Sequence, residues 1–311
     1  MNKRHELKAT PRSVHWGYFD AALPPVLEIG SGDTVVVDTV SGQPDELPAL
    51  RTHVLPEHLE ILAEVPHFLG PHVLTGPIWV RDAEPGDVLE VRIHSVKLRQ
   101  RWGYNTMRPL KGTLPDEYPK LRHSHFDIDI ESRIGTLPWG KKIELNPFFG
   151  VMGVAPPPSY GRINSSDPRE FGGNMDCKAL TEGSTLFLPV FNKGALFSVG
   201  DGHATQGDGE VNLTALETAL NGTLEFVLHK GRTLRWPRAT TKTHYVTIAM
   251  DPDLDDAAKI ALREMIAWIT EMSGLSREDA YMLCSLACDL RVTQLVTANK
   301  GIYAMLPKSL L

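Results

Sequence analysis

Glu84-Pro-Gly-Asp-Val-Leu-Glu-Val-Arg-Ile93 is a tight turn followed by an alternation in which Leu89, Val91 and Ile93 share one side and Glu90 and Arg92 the other. A two-residue period is the signature of a strand with one buried and one solvated face. Ser31-Gly-Asp-Thr-Val-Val-Val-Asp38 repeats the design, a turn ahead of a β-branched run. The likeness is too short for a solenoid repeat, but it hints at two related β-units. Working outward, 26 glycines and 23 prolines punctuate the chain, as many short strands joined by tight turns require. Further strands are predicted over residues 148–154, 184–191, 195–199, 211–216, 223–228 and 244–250. Residues 99–129 carry Gly, Pro, His and charge without periodicity and read as a long surface excursion, the kind of loop that often lines a site.

Helices come late. Asp253 can cap a segment whose apolar positions are Leu254, Ala258, Ala261, Met265, Ile266 and Ile269, and Gly274 suits its exit. A second helix starts at Ser276, with Asp279 at capping-box spacing and a stripe of Ala280, Leu283, Cys284, Ala287 and Leu290. The expected fold class is therefore mainly β with some α. A β-rich body over 1–250 carries a helical pair at 251–291 and a return strand at 292–311, all in one domain.

A chain of 311 residues can bury a large core without staples. The formal charge is −6 with both signs interspersed, so the footprint of a nucleic-acid binder is missing. The expected substrate is small and uncharged or weakly charged. No apolar run of about eighteen residues suggests a membrane span. Three cysteines cannot form a disulfide framework, and no secretory leader pattern opens the sequence, so the cytoplasm is expected.

The densest polar cluster is Gly200-Asp-Gly-His-Ala-Thr-Gln-Gly-Asp-Gly-Glu210. Its glycines allow close approach of the backbone to a ligand, and Asp201, His203, Asp208 and Glu210 supply ligands or proton carriers. A solvated acidic hairpin is the plainer alternative, and the spacing is not that of a calcium-binding EF-hand loop. In Phe171-Gly-Gly-Asn-Met-Asp-Cys-Lys178, Asn174 and Asp176 share a face if the segment is extended, which makes Asp176 a candidate metal ligand or part of an Asx turn. Cys177 then faces the other way, into packing. His72 sits on a Pro/Gly-stiffened turn and is a third possible ligand. The nucleophile elbow, the paired-histidine zinc helix, the P-loop and the dinucleotide fingerprint are all missing. Cys284 and Cys288, four apart on the second helix, read as core.

Taken together, Gly200–Glu210, Gly172-Gly-Asn-Met-Asp176, Asn146-Pro-Phe-Phe-Gly-Val-Met-Gly-Val-Ala-Pro156, His72-Val-Leu-Thr-Gly-Pro-Ile78 and Ala83-Glu-Pro-Gly-Asp87 resemble the acetamidase/formamidase family. The likeness runs from His15-Trp-Gly-Tyr-Phe-Asp20 to Leu306-Pro-Lys-Ser-Leu310. The resemblance implies a body of β-sandwich and small-barrel elements with a few helices, often in homo-oligomers, and hydrolysis of short amides to carboxylate and ammonia with an associated metal. It also implies Asp176 and His203 as metal ligands, His72 as a weaker third, and Asp208 and Glu210 in the same site.

An amide is a poor electrophile and ammonia a poor leaving group, so the chemistry needs a sharpened water and a proton for nitrogen. Glu210 is the expected base, with Asp208 next in line. The amides of Gly172 and Gly173, beside Asn174, are expected to meet the oxyanion or substrate. Zinc is favoured over calcium as the divalent ion. Glu217 is set aside, because seven residues from Glu210 it faces the opposite side of an unbroken strand. The rival readings are a cysteine amidase using Cys177 and a non-catalytic β module that binds metal or carbohydrate.

Overall fold

The computed structural model describes residues 2–311. The alternating run at 88–93 opens the strand Val88–Leu98, which lies inside a nine-stranded sheet between Leu220–His229 and Thr185–Pro189, antiparallel to both. Leu89, Val91 and Ile93 are buried as the period demands. Glu90, on the other face, is covered by its partners Arg92 and His229. The similar run at 31–38 gives the strand Thr34–Asp38 of the same sheet, parallel to Arg4–Leu7 and antiparallel to Leu220–His229. The two look-alike stretches thus share one sheet, separated by a single strand.

The second, eleven-stranded sheet is built around Phe197–Thr205. Phe148–Gly153 flanks this strand along one side. On its other side the partner changes: Val73–Val80 pairs with Phe197, Val199 and Gly200, whereas Leu216–Glu217 pairs with His203 and Thr205. This handover, between Gly200 and His203, opens the second sheet at the point where the polar cluster sits. Leu89, Leu186 and Phe226 from the first sheet and Leu74, Phe149 and Phe197 from the second join one continuous apolar core. Each such side chain contributes about 1.5–3 kcal/mol of burial.

Both helices form where expected, over Leu254–Ser273 and Arg277–Ala287. Asp253 accepts hydrogen bonds from the amides of Asp255 and Asp256, and Gly274 closes the first helix in the left-handed region at φ 72°. Ser276 accepts from the Asp279 amide and donates to its carboxylate. Ala261, Met265 and Ile269 pack on Ala304 and Leu306 of Lys300–Pro307, forming a second apolar cluster. Among the described residues no helix is long and apolar enough to cross a membrane.

Five expectations need correction. Helices are not confined to the late part of the chain, because Pro56–Glu64 forms one with Ile61 buried. Residues 99–129 hold two paired strands of the second sheet, Trp102–Met107 and Arg122–Asp129, with Trp102 and Tyr104 buried. The strand predicted at 211–216 is mostly turn, and only Leu216–Glu217 pairs. The strand predicted at 195–199 runs on through the glycine-rich cluster to Thr205. Leu290 lies beyond the second helix, exposed on the edge strand Asp289–Val292.

Candidate active site

Gly200 and Gly202 explain why a glycine-rich stretch can be central strand. A Cβ at Gly200 would collide with the Val73 carbonyl, and one at Gly202 with the Thr218 carbonyl. Their neighbours Asp201 and His203, two apart, point to the same face. Across the sheet, a Cβ at Gly150 would fall on Asp201 Oδ2, and 2.7 Å from both Asp176 Oδ1 and His203 Cε1. Asp176 arrives just after the strand Gly172–Asn174, at φ 48°, with its amide donating to the Gly150 carbonyl. Asn174 Nδ2 donates to Asp176 Oδ2 over 2.8 Å.

Glu210 and Glu217 complete the cluster. Positive φ values at Glu210 (45°) and Leu213 (126°) turn the chain back between them, so the unbroken-strand premise that set Glu217 aside does not hold. Glu217 stands opposite both His203 and Tyr104 in the ladder. His203 Nε2 lies 3.1 Å from Asp201 Oδ2, 3.2 Å from Glu217 Oε1, 3.9 Å from Glu210 Oε1 and 4.0 Å from Asp176 Oδ1. Two overlapping triads, Asp176–His203–Glu210 and Asp201–His203–Glu217, each bring their ligand atoms within 4.8 Å of one another. His72 joins from the edge: its Nδ1 shares a hydrogen bond with Ser165 Oγ, and its Nε2 is 3.8 Å from Asp201 Oδ2.

The protonation of His203 can be read from its neighbours. Gln206 Nε2 donates to the carbonyls of Asp176 and Thr293, so Gln206 Oε1 must face His203 Nδ1 and accept its proton over 2.9 Å. Nε2 then turns either a lone pair or a second proton toward four carboxylates, with no hydrogen bond of its own. Asp176 Oδ1, Glu217 Oε2 and Asn174 Oδ1 are likewise buried without partners. Like charges at such separations repel by roughly 3 kcal/mol or more per pair at an effective dielectric near 20. Burial and neighbouring carboxylates push Asp176 and Glu217 well above the usual carboxylate range, and Glu210 up to about 7. Asp201 resists burial and stays low because His203 and His72 face it. Burial disfavours a charged His203, yet Glu217 and Asp201 outweigh it and raise its pKa well above the usual value. The raised carboxylates Asp176, Glu210 and Glu217 and the raised His203 mark a shortage of positive charge, which Asp201, held low by its two histidines, does not share. These buried acidic and histidine groups could hold a metal ion.

Asp201, Glu210, Glu217 and His72 line a cleft whose walls include Tyr104, Glu46 and Asn174. Burial, then the charges of Glu46, Glu217 and Asp201, keep the Tyr104 phenol protonated far above neutrality. The family model for the acetamidase/formamidase family matches residues 2–166 and 159–311. The chain belongs to the acetamidase/formamidase family. A formamidase of Methylophilus methylotrophus is 32% identical over 200 residues, covering 48% of this chain and 49% of that protein. The chain spans about half the length of the curated relatives it matches. Among solved structures, a predicted acetamidase/formamidase of Thermoanaerobacter tengcongensis is 30% identical with a TM-score of 0.86, covering 100% of this chain and 98% of that one. An acetamidase of Bacillus halodurans is 31% identical with a TM-score of 0.85, covering 98% of each.

Of the residues singled out from the sequence, Asp176, His203, Glu210, His72 and Asn174 converge here. Asp208 does not: it accepts from the Tyr303 hydroxyl over 2.6 Å and pairs with Lys178 Nζ at 3.1 Å. Gly172 cannot offer a free amide, since its N–H is given to the Arg169 carbonyl. Gly173 is packed against the rings of Phe171 and Phe19. Asp201, named among the possible ligands or proton carriers of its motif but given no role, also belongs to the cluster, as does Glu217, which was set aside. Tyr104 was hidden in the aperiodic stretch.

Proposed function

We propose that this chain hydrolyses small carboxamides to carboxylate and ammonia with the help of a divalent cation held by Asp176, Asp201, His203 and Glu217, with His72 at the margin. The observation that carries this reading is the buried His203 Nε2 aimed, without a hydrogen bond, at four carboxylates. A divalent cation at that point supplies a Lewis acid that polarises the amide carbonyl and acidifies water. Two imidazoles among carboxylates favour zinc over calcium.

Glu210 is the base. Buried, with Oε1 3.9 Å from His203 Nε2, its carboxyl is placed to take a proton from water and return it to the departing nitrogen. Tyr104, opposite Glu217, remains a proton donor in the cleft, and Asn174 orients Asp176. The names of the formamidase and acetamidase relatives support amides as substrates. Cys177 is poorly suited as a nucleophile, because complete burial pushes its thiol up to about 12.

Ammonia release from formamide and acetamide should occur with added zinc, cease with a chelator and return on adding metal back. A zinc-loaded protein that releases no ammonia from any amide would overturn the reading. Glu210→Gln should lower turnover by about 100-fold or more while zinc content stays near that of the parent; turnover close to the parental value would reject Glu210 as the base.

A further inference from the structure

The cleft over the carboxylates encloses about 530 Å³. Acetamide has only four non-hydrogen atoms, and at roughly 30 Å³ for each water-sized group it fills about a quarter of that space at most. Cavities of about 300–1,000 Å³ ordinarily house much larger ligands.

The walls indicate what the remaining space receives. Of their charged groups, Arg108 is paired with Asp45 and Glu46, and Asp167 with Arg169 and the Asn299 amide, while Lys111 is exposed to solvent without an ion pair among the described residues. Leu69, Pro71, Val73, Leu213 and Val296 supply apolar surface. Leu69 stands half-exposed on this wall. Leu213 is held at φ 126°, with its amide donating to the Glu210 carbonyl. A leucine adopts that conformation only where its surroundings enforce it, and such strain is often kept where a side chain must be aimed at a ligand.

We infer that the preferred substrate is a neutral amide whose acyl arm, aliphatic or aryl, is longer than acetyl and lies along Leu69 and Leu213. The inference rests on the amidase reading above. The test compares kcat/KM by ammonia release from zinc-loaded protein for formamide, acetamide, butyramide, hexanamide, phenylacetamide and the anionic amide succinamate. The expected result is hexanamide or phenylacetamide ahead of acetamide by at least about tenfold, since even one buried methylene in an apolar pocket is worth about that much. Leu69→Asp, at a half-exposed position that tolerates a polar side chain, should lower the hexanamide-to-acetamide ratio by about tenfold or more, and Leu69→Met should restore it. The ratio is independent of how much protein is active. Formamide or acetamide as best substrate, or succinamate ahead of hexanamide, overturns the inference and leaves the amidase reading standing. Release of ammonia from none of the six removes both.

Discussion

Gly150 lacks a side chain where Asp176, Asp201 and His203 need the space. Gly150→Ala should therefore spread the ligands and weaken zinc binding by about tenfold to a hundredfold, the usual effect of disturbing a metal site's surroundings. Calorimetric titration of the metal-free protein reads this directly, and an unchanged affinity would show that the cradle is looser than its distances. Glu217→Ala should weaken binding at least as much. Asp176, which follows two glycines, and His203, which lies between glycines, were singled out by the family resemblance, since their local pattern alone suits a solvated hairpin or an Asx turn as well. Glu217 was not, because alternation is informative only along an unbroken strand, and the turns at Glu210 and Leu213 reset it. Asp208 misled for the opposite reason: it is adjacent in sequence to the site, but the chain has already turned away and given it to Tyr303 and Lys178.

The two late helices were readable down to their caps, since Asp253, Gly274 and Ser276 act locally, whereas Pro56–Glu64, with no side-chain cap, was not. Asp253→Ala should cost about 1 kcal/mol. In a chain of this length that is a fall in Tm of about 2 °C, measurable by calorimetry, and no change would mean that the two amides find water equally well. Strands that alternate apolar and charged residues were also legible, as at 88–93. The ones that escaped are held by other means. Trp102–Met107 depends on a polar lattice in which Asn105 Nδ2 donates to Asn212 Oδ1 and the Thr214 carbonyl, which no hydrophobic period reports. Gly200–Thr205 has the composition of a loop because both neighbouring backbones press close to it.

Across the molecule, two buried histidines set a lower limit of pH. His15 and His58 are each held neutral, with pKa lowered by burial to about 4. Between about pH 4 and 6.5 the unfolded chain binds protons that the folded one refuses, so this stability is complete above pH 6.5 and drains away as pH falls toward 4. The combined loss is of the order of a few kcal/mol. Tm measured from pH 7.5 to 4.5 should fall, and His58→Gln should flatten the slope; a parallel profile would assign the loss elsewhere. Chelation is expected to lower Tm as well, by the equivalent of about 3 kcal/mol for an ion present at a hundred times its Kd, reversibly on adding zinc. A melting curve indifferent to chelator would argue that the folded chain binds no ion. Gln206 adds a longer-range consequence. Because carbonyls at residues 176 and 293 hold both hydrogens of its amide, the group cannot rotate, and the imidazole is denied its other tautomer. The choice of which ring nitrogen faces the four carboxylates is thus delegated to a residue that never touches them, and a slackened turn near Thr293 would blur that choice from behind, leaving every carboxylate in place.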